Sequence, residues 1–201
     1  MRSPEQIRER YEQIRSSVGP DVTVVAATKY VSPEEMGALA EAGIEVVGEN
    51  RAQSLAAKHT QYGSAFRWHF IGHLQSRKAP LVSELCELCH SLSSESAARQ
   101  LSIPALVEVN LAGEETKSGI APENLEAFLG FCEQLGVKVR GLMTMPPLSA
   151  DPEASRPYFR RLRELAERFA LPQLSMGTSQ DYLVAAEEGA TFVRVGSALW
   201  S

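Results

Sequence analysis

The chain has 201 residues, of which 44% are hydrophobic and 22% charged, with a formal net charge of −5. This is ordinary globular composition, and its acidic balance excludes a general nucleic-acid surface. No apolar run reaches the length of a bilayer span, the N-terminal "MRSPEQIRERYEQIR" reads as neither signal peptide nor stop-transfer segment, and three cysteines make no disulfide framework, so a reducing, cytoplasmic setting is expected.

Ser3-Pro4-Glu5-Gln6 has the form of a capping box with proline at the first helical position, and predicts a helix over about Pro4 to Ser17 with Ile7, Tyr11 and Ile14 on one face. Gly19-Pro20 ends it. "VTVVAAT" then reads as a buried strand, and Ser32-Pro33-Glu34-Glu35 caps a helix that stops near Gly43. The alternation continues with strands at "IEVVGEN", "RWHFIG", "CHSLS", "PALVEVN", "VKVRGLM", "QLSMG" and "TFVRVG". Between them lie helices at "RAQSLAAKH", "LQSRKAPLV", "SESAARQLS", "PENLEAFLGFCEQLG", "PEASRPYFRRLRELAERF" and "SQDYLVAAEEG", the long one with an irregular start at Pro157. Eight apolar strands alternating with helices predict a parallel sheet closed into a single-domain (β/α)₈ TIM barrel over residues 1–201, with one extra N-terminal helix. An open doubly wound sheet is the runner-up, weakened by the lack of a Gly-x-Gly-x-x-Gly turn after the first strand.

In such a barrel the C-terminal strand ends share one face, where sites are built. They carry Lys29, Glu49-Asn50, the stretch from His69 to His73, Asn110, Met143-Thr144, Gly177-Thr178-Ser179, and Arg194 with Gly196 and Ser197. Glycine beside serine at a helix N-terminus suits an anion, and two such loops on the last two strands predict phosphate binding. The plainer alternative is that Thr178 or Ser179 only caps the helix containing Asp181. Arg194 lies in a strand that should be buried, so it either pairs with a carboxylate such as Glu108 or reaches a ligand. Lys29 ends an apolar run. It either points to solvent or, partly buried with a lowered pKa, attacks a carbonyl. The product would be a Schiff base with a sugar phosphate or an internal aldimine with pyridoxal 5′-phosphate. Cys86, Cys89 and His90 spell C-x-x-C-H, which would suit haem attachment, but the leucines around them read as core. His69 and His73 span a strand end rather than one helix face, so a zinc pair is not expected.

Several stretches carry a family resemblance that runs over almost the whole chain: Lys29 after the first strand, "GEN" at Gly48 to Asn50, "WHFIGHLQSRK" at Trp68 to Lys78, "KSG" at Lys117 to Gly119, "GLM" at Gly141 to Met143, "MGTSQD" and "VRVGSALW". With these the chain resembles the YggS/PROSC proteins, or pyridoxal phosphate homeostasis proteins, which are similar to the N-terminal barrel of alanine racemase. The resemblance implies pyridoxal 5′-phosphate held as an internal aldimine on Lys29. It implies Ser179, Gly196 and Ser197 around the phosphate, with Gly177 and Thr178 in the same loop. Arg194 would face the pyridine nitrogen, and Asn50 would lie near the ring. Arg77, Thr178 and Trp200-Ser201 depart from the asparagine, methionine and Phe-Gly usual in the family, and the last suggests a trimmed final helix. An arginine is a poor proton donor to the ring, which suits storage and delivery better than carbanion chemistry. The expectation is therefore a monomeric cytoplasmic carrier that meets pyridoxal phosphate-dependent apoenzymes transiently and binds neither nucleic acid nor membrane. A racemase-like enzyme or a Schiff-base aldolase is the alternative. The second domain of an alanine-type racemase is not expected, because the chain ends soon after Gly196.

Overall fold

The computed structural model describes residues 2–114 and 118–200. Lys117, part of the family resemblance, lies outside the described residues.

Ser3 caps the first helix, α1 (Pro4–Val18), with a reciprocal pair of bonds: Gln6 N donates to Ser3 Oγ, and Ser3 N donates to Gln6 Oε1. Its stripe of Ile7, Tyr11, Ile14 and Val18 is buried, as spacing near 3.6 residues requires. The strands follow as β1 (Thr23–Ala27), β2 (Val46–Glu49), β3 (Arg67–Phe70), β4 (Leu88–Leu92), β5 (Ala105–Glu108), β6 (Val139–Met143), β7 (Gln173–Thr178) and β8 (Phe192–Val195). The helices between them are α2 (Met36–Glu41), α3 (Ala52–Tyr62), α4 (Ala79–Leu85), α5 (Glu95–Ala98), α6 (Leu125–Gln134), α7 (Arg156–Arg168) and α8 (Tyr182–Glu187). A last short helix, α9 (Ser197–Trp200), follows β8 and is not foreseen by the strand-helix pattern.

All eight strands are parallel and close into a barrel in sequence order, β1 meeting β8 from Thr23↔Phe192 to Ala26↔Val195. The closed (β/α)₈ barrel expectation is met, and the open-sheet alternative is not. The seam beside the short final helix is paired over four residues. Pro157 sits in the first turn of α7, preceded by a 3₁₀ turn over Pro152–Ser155, which is the irregular start that proline imposes.

Side chains alternate across the wall. Val25, Val46, Leu88, Leu106, Met143 and Phe192, with Ile71 against them, fill the inside of the barrel. Val24, Ala26, Val47, Cys89, Val107, Leu142, Leu174 and Val193 belong to the larger outer layer under the helices. This period of two separates Cys89 from His90. Cys89 faces outward, its thiol pushed up to about 11 by burial, while His90 lies inside. The three residues of C-x-x-C-H therefore do not converge, and among the described residues no group of His, Cys, Asp and Glu has the arrangement of a metal site. Nor is any helix there long and apolar enough to cross a membrane.

Candidate functional site

The strand ends bring the turn after β1, the end of β2 and the loops after β7 and β8 to one mouth. Thr28 and Val31 close a turn through Val31 N to Thr28 O at 2.9 Å. Lys29 stands in this turn and is exposed, its Nζ 4.6 Å from the ring centroid of Tyr30, itself 81% exposed. The partial burial expected of Lys29 is not found, because the chain leaves the strand at Thr28 and turns outward over the rim.

The base of that turn is fixed from outside the barrel. Lys58 on α3 is only 3% exposed and forms a buried ion pair with Glu49. Lys58 Nζ also donates to Thr28 O at 2.7 Å, and Thr28 Oγ1 donates to Glu49 Oε1 at 2.6 Å. Glu49 Oε2 accepts from Asn50 N at 3.2 Å. One ion pair thus holds the residue before Lys29 and the backbone of Asn50 together. Sequence reasoning assigned Lys58 no role. The signal was its place on the buried stripe of α3 with Ala52 and Leu55, where a lysine needs a partner.

The β7 and β8 loops are joined by Ser179, whose Oγ accepts from Gly196 N at 3.0 Å and from Ala198 N at 3.3 Å. A side-chain oxygen here meets backbone N–H groups at the start of α9, and among the described residues its own proton meets no acceptor. A Cβ on Gly196 would lie 3.3 Å from Ala27 O, so glycine here lets the loop after β8 pack closely on the end of β1. Ser197 is exposed beside it. Gly177 has φ +88°, and a Cβ on it would come within 2.5 Å of Ala185 Cβ, so glycine is needed to seat α8 against the loop. Thr178 directs both of its donors at Asp181 Oδ1, N at 2.7 Å and Oγ1 at 3.0 Å, while Ser155 Oγ donates to Asp181 Oδ2 at 2.7 Å. Asp181 therefore organises this turn, and Thr178 serves it rather than capping α8 with its oxygen.

Arg194 is 5% exposed. The ion pair considered with Glu108 is not formed. The guanidinium donates to Ser175 Oγ through Nη1, and through Nη2 to Thr144 O at 3.1 Å and Met145 Sδ. Glu108 instead accepts from Ser118 Oγ at 2.8 Å. Burial raises the Glu108 carboxyl, opposed by Ser118 and by the more distant Arg194 and His73. Burial also lowers Arg194 to about 10, which leaves it a cation at neutral pH. Asn110 turns away to its own loop, bonding Glu114 O at 2.9 Å and Gly113 N at 3.1 Å.

A buried carbonyl oxygen, Asn50 Oδ1, has no partner in the structure. Orphaned buried acceptors are rare and call for an explanation, which a bound molecule would supply. The donors at the mouth suit a small anionic ligand: the hydroxyls of Ser179 and Ser197 at one end, an arginine below, an amine on the rim. These residues fit pyridoxal 5′-phosphate, which has a phosphate, a ring nitrogen and an aldehyde.

A closed parallel barrel with a rim lysine, a buried arginine and a serine bridging the loops after β7 and β8 defines a class, and comparison with known proteins agrees. Residues 3–201 match the family described as alanine racemase, N-terminal domain. The chain is 42% identical over 194 residues to the pyridoxal phosphate homeostasis protein of Aquifex aeolicus (strain VF5), covering 88% of this chain and 85% of that one. It is 35% identical over 207 residues to the protein of the same name from Pseudomonas aeruginosa, covering 95% and 90%. The structure of PipY from Synechococcus elongatus PCC7942 with PLP bound superposes with a TM-score of 0.86 at 32% identity, covering 97% of this chain and 100% of that one. The chain belongs to the alanine racemase N-terminal-domain family and, within it, to the YggS/PROSC pyridoxal phosphate homeostasis proteins.

Proposed function

We propose that this protein binds pyridoxal 5′-phosphate at the barrel mouth, covalently through an imine to Lys29 Nζ, and buffers and delivers it rather than using it for sustained catalysis. The observation that carries the reading is Ser179, whose single oxygen gathers N–H groups at the start of α9 where an anion would sit. In this reading Ser179, Ser197 and the backbone of Gly177, Thr178 and Gly196 surround the phosphate. Asn50 and Arg194 face the ring, and the Thr28–Glu49–Lys58 unit keeps the turn bearing Lys29 in place. The cofactor supplies the aldehyde and an electron-accepting ring. Arg194 offers that ring hydrogen bonds and positive charge but is a poor acid, which favours retention over carbanion chemistry. Apoenzymes dependent on the cofactor are the proposed recipients; the relatives' name as homeostasis proteins supports the buffering role.

Borohydride reduction followed by peptide mapping tests the covalent link. A pyridoxyl group on Lys29 is expected, and Lys29→Ala should lose both the reduced adduct and its absorbance while keeping some non-covalent cofactor. Lys58 is already committed to Glu49 and Thr28. A pyridoxyl group on Lys58, Lys78, Lys117 or Lys138 in place of Lys29 would overturn the assignment.

A further inference from the structure

A continuous file of polar side chains crosses the apolar interior of the barrel. It begins on the N-terminal face, where Arg67, the first residue of β3, pairs with Glu87 just before β4, Nη2 to Oε1 at 2.8 Å. Glu87 Oε1 lies 2.9 Å from His69 Nε2. His69 Nδ1 lies 2.9 Å from His90 Nε2, and His90 Nδ1 lies 2.8 Å from Ser175 Oγ. Ser175 Oγ in turn accepts from Arg194 Nη1. Phe192 holds both imidazoles edge-on, with ring centroids 5.8 Å and 5.1 Å away.

The two ends fix the direction of every bond between them. Arginine can only donate, so Ser175 Oγ accepts from Arg194. Glu87 is ionised, its carboxyl held below the usual range by Arg67 and His69 against a partial burial, so it can only accept. His69 Nε2 must then carry the proton toward Glu87. Burial lowers both histidines, His90 well below its ordinary value, so each is neutral and has one N–H. With Nε2 protonated, His69 Nδ1 accepts from His90 Nε2–H, and His90 Nδ1 accepts from the Ser175 hydroxyl. No site is left with two donors or two acceptors facing each other.

We propose that Ser175, His90, His69 and Glu87 are positioning residues for Arg194: a one-way hydrogen-bonded file that sets which guanidinium N–H groups remain for the ligand and links the mouth to a carboxylate on the opposite face. The link to the ligand rests on the pyridoxal phosphate reading; the polarity of the file does not. Glu87, rather than Glu108, is then the carboxylate connected to Arg194 through bonds.

The polarity is tested on the cofactor-free protein by long-range ¹H–¹⁵N correlation of the imidazoles at neutral pH. Both histidines should be neutral Nε2–H tautomers. An Nδ1–H tautomer or an imidazolium at either overturns the file. The link is tested by equilibrium dialysis with pyridoxal 5′-phosphate and by the absorbance of the bound form. Ser175→Ala should weaken retention about ten-fold, as loss of a bond to a charged group does, and move the absorbance maximum. Glu87→Gln, at a position 41% exposed, keeps the fold and should also move the maximum from the far side of the barrel. It decides the matter should Ser175→Ala not fold. A parent that binds cofactor, with an unchanged Glu87→Gln variant, overturns the link alone. A parent that takes up none overturns the functional reading, and the tautomers still decide the polarity.

Discussion

Lys58→Met should be among the most damaging single changes outside the barrel interior. Methionine keeps most of the lysine's volume but removes the ammonium. Glu49, 1% exposed, would then hold its charge with only Thr28 Oγ1 and Asn50 N as donors, and Thr28 O would lose its Lys58 bond. Breaking a buried pair from one side costs about 3–5 kcal/mol. In a domain of this size that lowers the melting temperature by roughly 6–20 °C. Thermal unfolding followed by circular dichroism at pH 7 measures it, with the double variant Glu49→Gln/Lys58→Met as control. Removing both charges should recover at least half of the loss, because the penalty comes from the charge left behind rather than from the lost contact. A loss under about 1 kcal/mol, the value of a solvated pair, would refute the reasoning, as would a double variant no better than the single one.

Replacing Ser179 and Ser197 with alanine should weaken cofactor retention about ten-fold or more without unfolding the protein, and dialysis showing parental retention would place the phosphate elsewhere. Stability should fall on acidification: buried His69 and His90 keep folded-state pKa values below the ordinary 6.5, so their contribution is complete above that pH and is lost progressively below it. The slope is up to about 1.4 kcal/mol per pH unit for each histidine, and urea midpoints between pH 7.5 and 5.5 read it; His90→Gln should flatten the curve. Gly177→Ala should cost about 2 kcal/mol or more by urea unfolding, since both its φ of +88° and the 2.5 Å approach to Ala185 oppose a side chain.

The barrel was legible because its signal is local. Each strand is a short apolar run, each helix has its own period, and proline and glycine mark the ends, so Ser3, Ser32 and Pro157 predicted their helix starts. The residues around the mouth were legible for the same reason, since they follow strands directly. Partners were not. Arg194 and Glu108 suggest a pair because both are polar in buried strands, whereas the guanidinium reaches the Ser175 side chain and the residues just after β6. Register shifts between β4 and β5 and between β7 and β8 hide from any local period that His90 and Ser175 meet. The exposure of Lys29 depended on the direction of a single turn. The Glu49–Lys58 pair joins a strand end to the middle of the next helix and was visible only as a lysine on the wrong face of that helix.

The turn at Thr28 has a mechanical consequence. Its base is pinned by a buried ion pair, while the side chain that leaves it rests against an exposed tyrosine. Lys29 is thus a free arm on a fixed pivot. If the arm carries the cofactor, exchange with an incoming amine requires no breathing of the barrel: its pace depends on how the arm swings and on what can reach the rim. Tyr30, the arm's resting place, is then the residue through which that pace could be adjusted without touching the fold.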